Sequence, residues 1–283
     1  MDSEIPEGHG EPVPEVAQAA RLLRTPCGAG RMVWRSWGEG PPLVLLHGGT
    51  GSWRHWARNI PAFARHRLVL AADLPGLGES DMPPDGYTPY SIGAIVAGGI
   101  DVLLGEGTRY DLAGFSFGAL VSSQVAAIHG ARLRSLTVVG PNSLGMKRAP
   151  ITLEKVRSRR GAARLEANRI NLGRFMFADP ARIDATALAI QDWNTVHARL
   201  RSKGFAEGTY LRDAVAGAPT RVQAIWGAAD VTAWPSMAAR LAVLRAARPD
   251  VDARVIEGAG HWVAYEAAEA FNAMLDDMLA RAG

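Results

Sequence analysis

Residues 110–118 read Tyr110-Asp-Leu-Ala-Gly-Phe-Ser-Phe-Gly118, and the helix-like stretch Ala119–His129 follows without a break. The segment before the glycine is short and mostly apolar, as a buried strand is; the segment after it has helical composition. Gly114-Phe-Ser-Phe-Gly118 therefore stands at a strand-to-helix turn. At so sharp a turn the serine takes a strained backbone conformation, and flanking glycines remove side chains that would collide there. A G-x-S-x-G sequence alone is a short motif that arises by chance. Its place between strand and helix is what presents a serine hydroxyl at the end of a sheet.

Outward from this turn the chain alternates. Upstream, Arg21–Thr25 and Met32–Trp37 read as a hairpin joined through Cys27-Gly-Ala-Gly30, and Leu43–Leu46 is a short apolar strand after Pro41-Pro42. A glycine-rich loop, His47-Gly-Gly-Thr-Gly-Ser52, leads into a helix carrying Trp53, Trp56 and Ile60. Leu68–Ala72 reads as a strand and Ser91–Leu104 as a helix. Downstream, Leu136–Val139, Arg221–Trp226 and Ala253–Ile256 are strands, with helices at Pro235–Ala247 and Ala267–Arg281. Strands alternating with helices give βαβ units and a mostly parallel sheet, whose sites form at the strands' carboxyl ends. The segment Asn142–Asp213 breaks the alternation: Thr152–Ile170 and Pro180–Lys203 are helical in composition with no strand between them. The expected layout is a flexible tail at 1–14, an α/β core at 15–141 and 214–283, and a helical cap at 142–213 over the sheet's carboxyl edge.

Composition bounds the function classes. With 283 residues, 48% hydrophobic and 21% charged, the chain is an ordinary globular protein. It has no run of about 18 apolar residues to span a membrane. The acidic, Pro/Gly-rich start lacks the basic and apolar parts of a secretory signal, so a cytoplasmic location is expected. Cys27 is the single cysteine, which excludes an intrachain disulfide and a cysteine metal cluster. A net charge of +3 gives no argument for nucleic acid. The charge is uneven, however: residues 142–213 hold fourteen Lys/Arg against seven Asp/Glu.

A serine hydroxyl needs a base to take its proton. Of the seven histidines, His261 follows the last strand through Glu257-Gly-Ala-Gly260, at the sheet's carboxyl edge. His47 ends a strand just before a glycine pair and is read as shaping that loop. The acid that orients the base should lie between serine and histidine in the chain. Asp230, after strand Ala224-Ile-Trp226 and Gly227-Ala-Ala229, meets this; Gly140-Pro-Asn-Ser-Leu144, after the preceding strand, offers no carboxylate. Oxyanion donors are expected from the backbone amides of Phe117, next to the nucleophile, and Gly49, in the glycine-rich loop. A phosphate-cradling reading of that loop fails, since no G-K-[ST] follows it.

Together these residues resemble the α/β-hydrolase family. The resemblance rests on His47-Gly-Gly49, Asp73-Leu-Pro-Gly-Leu-Gly-Glu-Ser80, the turn at 114–118, Gly227-Ala-Ala-Asp230 and Gly260-His261, and covers about residues 20–141 and 218–281. It implies an eight-stranded, mostly parallel sheet flanked by helices, with a cap inserted after the sixth strand. Serine at 116 speaks against the epoxide hydrolases and haloalkane dehalogenases, which carry aspartate there. Gly260-His-Trp-Val-Ala-Tyr-Glu266 with Phe271-Asn272 is similar to the carbon–carbon hydrolases of meta-ring-fission products. Two positions depart from that group: Phe115 stands where it carries asparagine, and Gln191 where it carries a cap arginine. Hydrolysis of a carboxylic ester of a small, largely apolar substrate therefore ranks first and carbon–carbon cleavage second. A small-molecule receptor on the same scaffold is the alternative of another class. The expected substrate contacts are Gly48, Trp53, Phe115, Gln191, Arg199 and Trp262, with Arg199 and its neighbour Arg201 as candidates for an acidic substrate group. No cofactor, metal, nucleic acid or membrane is expected as a partner; association into a homodimer stays open.

Overall fold

The protein is described by a computed structural model over residues 10–281. Eight strands form one sheet in the order β1-β2-β4-β3-β5-β6-β7-β8. They are β1 (Arg21–Cys27), β2 (Gly30–Trp37), β3 (Pro42–Leu46), β4 (Leu68–Ala72), β5 (Tyr110–Phe115), β6 (Leu133–Val139), β7 (Arg221–Gly227) and β8 (Asp252–Ile256). The first two pair antiparallel, as does β2 with β4; every other pairing is parallel. The helices are α1 (Pro14–Gln18), α2 (Ile60–Phe63), α3 (Pro89–Leu104), α4 (Phe117–His129), α5 (Gly161–Phe175), α6 (Ala185–His197), α7 (Tyr210–Gly217), α8 (Met237–Ala247), α9 (Val263–Glu266) and α10 (Ala268–Ala280).

Strand periodicity builds two cores. In β3, Val44 and Leu46 join Ile92 and Val96 of α3 and Leu120 of α4 on one face, while Leu43 and Leu45 join Phe63, Phe271 and Leu275 on the other. Being covered on both faces, these strands are continuous apolar runs rather than alternating ones. Strand β3 is also where the order reverses: the chain steps from β3 to β4 on one side and to β5 on the other. The loops leaving β3 and β5 diverge there and open a crevice at the carboxyl edge. Those loops carry His47–Ser52 and Ser116.

The insertion between β6 and β7 holds α5, α6 and α7, but its elements differ from expectation. Residues 152–160 are not helical. Their backbone is held instead by side chains of other segments: Asn171 of α5 accepts from the Glu154 amide (2.7 Å) and donates to its carbonyl (3.0 Å). The segment Pro180–Lys203 narrows to α6, which starts where Asp184 accepts from the Ala187 amide (2.7 Å). Helix α7 is an addition, an eight-residue piece whose Leu211 and Val215, four apart, are buried. The expected helix with Trp53, Trp56 and Ile60 is two short pieces, a 3₁₀ turn at Trp53–Trp56 and α2.

Of the expected tail, residues 1–9 lie outside the described residues. Glu11 is ion-paired with the buried Arg54, which also lies over the rings of Trp53 and Trp193. Helix α1 accepts the Trp37 indole hydrogen bond at the Val16 carbonyl (2.8 Å). Among the described residues, no helix is long and apolar enough to cross a membrane.

Candidate active site

Ser116 sits between β5 and α4 with φ 52° and ψ −110°, in the left-handed region that side-chain-bearing residues rarely adopt. Its amide donates to the Val139 carbonyl of β6 (2.8 Å). The two glycines of the motif are required by close approach. A Cβ at Gly114 would lie 2.0 Å from the Ser122 hydroxyl, and one at Gly118 would lie 2.4 Å from the Leu46 carbonyl oxygen.

His261, in the loop after β8, places Nε2 2.9 Å from Ser116 Oγ and Nδ1 2.9 Å from Asp230 Oδ2. Asp230 Oδ1 accepts from the Thr232 amide (2.8 Å) and hydroxyl (2.7 Å). Burial pushes the Asp230 carboxyl upward, yet the His261 charge and hydrogen bond, with the Thr232 bonds, outweigh it and hold the group below its ordinary value. Asp230 is thus an anion facing the imidazole. The ring is flanked by Phe115 (4.9 Å) and Phe175 (5.1 Å). Gly140, at the end of β6, leaves the pair room; a Cβ there would stand 3.1 Å from the ring and 3.2 Å from the Asp230 carboxylate.

The His261 loop is tied to the insertion. Glu266, buried on α9, accepts from the Gly260 amide (2.7 Å) and from the amides of Ala178 (2.9 Å) and Asp179 (3.0 Å), which follow α5. The Trp262 amide donates to the Met176 carbonyl (2.8 Å). On the other side of the serine, the glycine-rich loop is built on two buried histidines. His47 donates through Nδ1 to the Gly48 carbonyl (2.7 Å), while its Nε2 accepts from the Leu74 amide (2.9 Å). His55 Nδ1 accepts from the Gly48 amide (3.2 Å). Burial lowers the pKa of both rings, so both are neutral structural groups. Asp73 fixes the same region by accepting from the amides of Trp53 (2.8 Å) and Glu79 (2.9 Å).

Ser116 opens onto a cavity of about 670 Å³, bounded by Gly49 and Phe117 on the core side and by Phe175 and residues 148–153 of the insertion on the other. Among the described residues, no cluster of three or more His, Cys, Asp or Glu side chains is placed to hold a metal ion.

The sequence of residues 43–274 matches the model of the alpha/beta hydrolase family. This chain belongs to that family. The chain is 31% identical over 274 residues to the dihydrolipoyllysine-residue acetyltransferase component of an acetoin cleaving system from Pseudomonas putida, covering 92% of this chain and 68% of that protein. A shorter match, 38% over 107 residues, links it to a 2-hydroxy-6-oxo-2,4-heptadienoate hydrolase of Pseudomonas putida, covering 36% of this chain and 38% of the other. In fold it superposes on an esterase from Rhodococcus sp. ECU1013 with a TM-score of 0.77 at 22% identity, covering 94% of this chain and 100% of that one.

Within this α/β-hydrolase, the residues read from sequence as nucleophile, base and acid meet in one chain of hydrogen bonds. Gly49 and Phe117 both line the cavity, and a Cβ on Gly49 would reach the Phe117 Cβ at 3.7 Å. The expected substrate contacts fare differently. Trp53 is fully buried against Trp37 (5.3 Å), and Trp262 is fully buried with its indole donating to the His55 carbonyl (2.9 Å). Phe115 lies beneath the His261 ring rather than in the cavity wall. Gly48 backs onto Phe115 and Ser116, and its amide is already engaged by His55. Gln191 turns to Thr195 one helical turn on (3.4 Å). Arg199 is spent on the carbonyls of Gly78 (3.4 Å) and Ser80, and neither it nor Arg201 lines the cavity.

In their place the cavity wall carries Asn142, Arg148, Thr232 and Arg240. A signal for Arg240 exists in the sequence. It shares the face of α8 marked by Met237, Leu241 and Leu244, so it is a charge in an apolar stripe. Glu266 had a similar signal, a carboxylate closing the apolar run Trp262-Val-Ala-Tyr265.

Proposed function

We propose that this α/β-hydrolase is a serine hydrolase that cleaves a carboxylic ester of a small substrate through an acyl-enzyme. The observation that carries the reading is the unbroken chain from Ser116 Oγ to His261 Nε2 and from His261 Nδ1 to Asp230 Oδ2, each link 2.9 Å, with Ser116 lining the cavity. As the Ser116 oxygen bonds to the ester carbonyl carbon, its proton passes to His261 Nε2. Negative charge then develops on the carbonyl oxygen, where the amides of Gly49 and Phe117 receive it; each such donor contributes about 3 kcal/mol to lowering the barrier. Collapse breaks the carbon–oxygen bond to the alcohol, which leaves with the proton from His261. Water then gives a proton to His261 and its hydroxide to the acyl carbon; the proton returns to Ser116 as the acid departs. Asp230 stays ionised throughout, orienting the ring and stabilising the imidazolium.

The insertion serves as the cap that closes the cavity, and the scheme uses no metal or organic cofactor. A second reading, cleavage of a carbon–carbon bond, is favoured by the likeness around His261–Glu266 and the Pseudomonas putida hydrolase match. The test is turnover of p-nitrophenyl esters of graded chain length, with burst kinetics, on the wild type and on Ser116→Ala. Burst and turnover that vanish in the variant fit ester hydrolysis; phosphonylation of Ser116 by a p-nitrophenyl phosphonate with no ester turnover would point to the second reading. Neither labelling nor turnover would remove both.

A further inference from the structure

Arg240 is a buried cation with no carboxylate in direct contact among the described residues. The residue is 3% exposed, and its guanidinium donates from Nε to the Trp234 carbonyl (3.0 Å) and from Nη2 to the Lys147 carbonyl (3.0 Å). Among the described residues it forms no ion pair. Burial lowers its pKa, with Asp230 the one carboxylate acting in the other direction. Withdrawing a guanidinium from water without pairing it is costly, and two carbonyl bonds satisfy only part of its five-donor fork. Nη1 makes no hydrogen bond among the described residues, whereas Nε and Nη2 are both engaged. The space Arg240 borders is the cavity above Ser116.

Two neighbours on that wall point the same way. Arg148 is exposed at the cavity and forms no ion pair among the described residues; its backbone amide donates to Glu207 (3.2 Å). Asn142 has a buried amide oxygen with no partner among the described residues, at a group whose oxygen and nitrogen exchange places by a flip. Glu207 is the one carboxylate in the lining, against two guanidinium groups. The remainder of the wall is small or apolar, so the charged side chains of the lining are net positive.

We propose that Arg240, with Arg148 beside it, receives a carboxylate of the substrate, so that the protein's esters are acidic ones. This rests on the reading of Ser116 as the nucleophile and adds the substrate class. A carboxylate fits the guanidinium fork geometrically and supplies the contact partner it lacks, and the burial of the guanidinium strengthens the attraction. It stands on different residues from Arg199, which the fold spends on a loop. The carboxylate can belong to the acyl part or to the alcohol part, and the two sources are separable.

The experiment compares two matched pairs, with acid release followed at constant pH. Monomethyl adipate against methyl hexanoate places the charge on the acyl side; 4-butyryloxybenzoate against phenyl butyrate places it on the alcohol side. Wild type should favour the acidic member of one pair by about 10-fold or more in kcat/KM, the scale of a charge-assisted contact. Arg240→Met should reduce that preference to near unity, Arg240→Lys should restore part of it, and Arg148→Gln should lower it by about threefold. The wild-type ratio stands independently of whether any variant folds, and Arg148 is exposed. Labelled Ser116 and brisk cleavage of neutral esters, with acidic-to-neutral ratios near one in both pairs, would overturn the proposal and leave the hydrolase reading intact. A preference that Arg240→Met and Arg148→Gln leave unchanged would overturn it as well. No cleavage of any ester together with no labelling of Ser116 would remove both.

Discussion

Replacing Glu266 with glutamine tests whether the insertion holds the His261 loop in register. The carboxylate is buried and gathers three backbone donors, from Gly260 on the His261 loop and from Ala178 and Asp179 at the end of α5. A hydrogen bond to a charged group contributes about 1.5–3 kcal/mol, and a buried donor left unpaired costs about 1–3 kcal/mol. Glutamine keeps one acceptor oxygen but turns an NH₂ toward amide donors, so at least one of the three is stranded. The expected loss is about 2–4 kcal/mol of folding stability. In a chain of this size that lowers Tm by roughly 5–15 °C. Activity should fall as well, because Gly260 adjoins His261 and misplacing a reacting group by about 1 Å costs on the order of 100-fold. The loss belongs in kcat rather than KM, since Glu266 does not line the cavity. Urea unfolding and p-nitrophenyl butyrate kinetics on Glu266→Gln read both effects, with the exposed Glu269→Gln as the control. Stability within about 1 kcal/mol of wild type, with kcat within about threefold, would refute the reasoning.

Three further substitutions test the geometry. Asp230→Asn should lower kcat by about 10⁴-fold with the fold intact, because the imidazole loses its orienting anion. Since the folded Asp230 carboxyl lies below its ordinary value, its contribution to stability is full above the unfolded value of about 3.9 and is lost as pH falls through the folded one. The stability difference between wild type and Asp230→Asn, followed by urea unfolding across pH, should therefore shrink only in acid. Gly118→Ala sets a methyl 2.4 Å and 2.5 Å from two backbone carbonyl oxygens and should cost about 1–3 kcal/mol or more, read as a lower urea midpoint. Glu11→Gln removes the anion paired with the buried Arg54 and should lower Tm by several degrees, on the scale of about 1–3 kcal/mol for a pair with one partly exposed member.

Much of this arrangement is legible in the sequence because each of the three hydrogen-bonded residues follows a strand directly. Ser116 leaves β5, Asp230 leaves β7 and His261 leaves β8, so a parallel sheet brings all three to one edge whatever their separation in sequence. The bounds of β4 agree with its apolar run for the same reason: a strand covered on both faces is defined by burial alone. What periodicity does not carry is the packing of the insertion. Residues 152–160 have helical composition, yet Asn171 satisfies the Glu154 backbone and draws the segment out of a helix. Arg199 looks free in a basic segment, but its own amide and that of Leu200 both donate to the Gly76 carbonyl at 2.9 Å, which turns the guanidinium toward residues 78–80. Trp53 looks like a cavity wall, but Asp73 draws its amide inward and the indole packs on Trp37. In each case tertiary hydrogen bonds to the backbone decide the local conformation, and local pattern has no access to them.

The most direct test of the account is covalent. Incubation with a p-nitrophenyl phosphonate, followed by intact mass and peptide mapping, should give one adduct, on Ser116. It should be absent in Ser116→Ala and formed at least about 10³-fold more slowly in His261→Ala, because the hydroxyl is a poor nucleophile without the imidazole 2.9 Å away. An adduct on another residue, or labelling of Ser116 at an undiminished rate in His261→Ala, would contradict it.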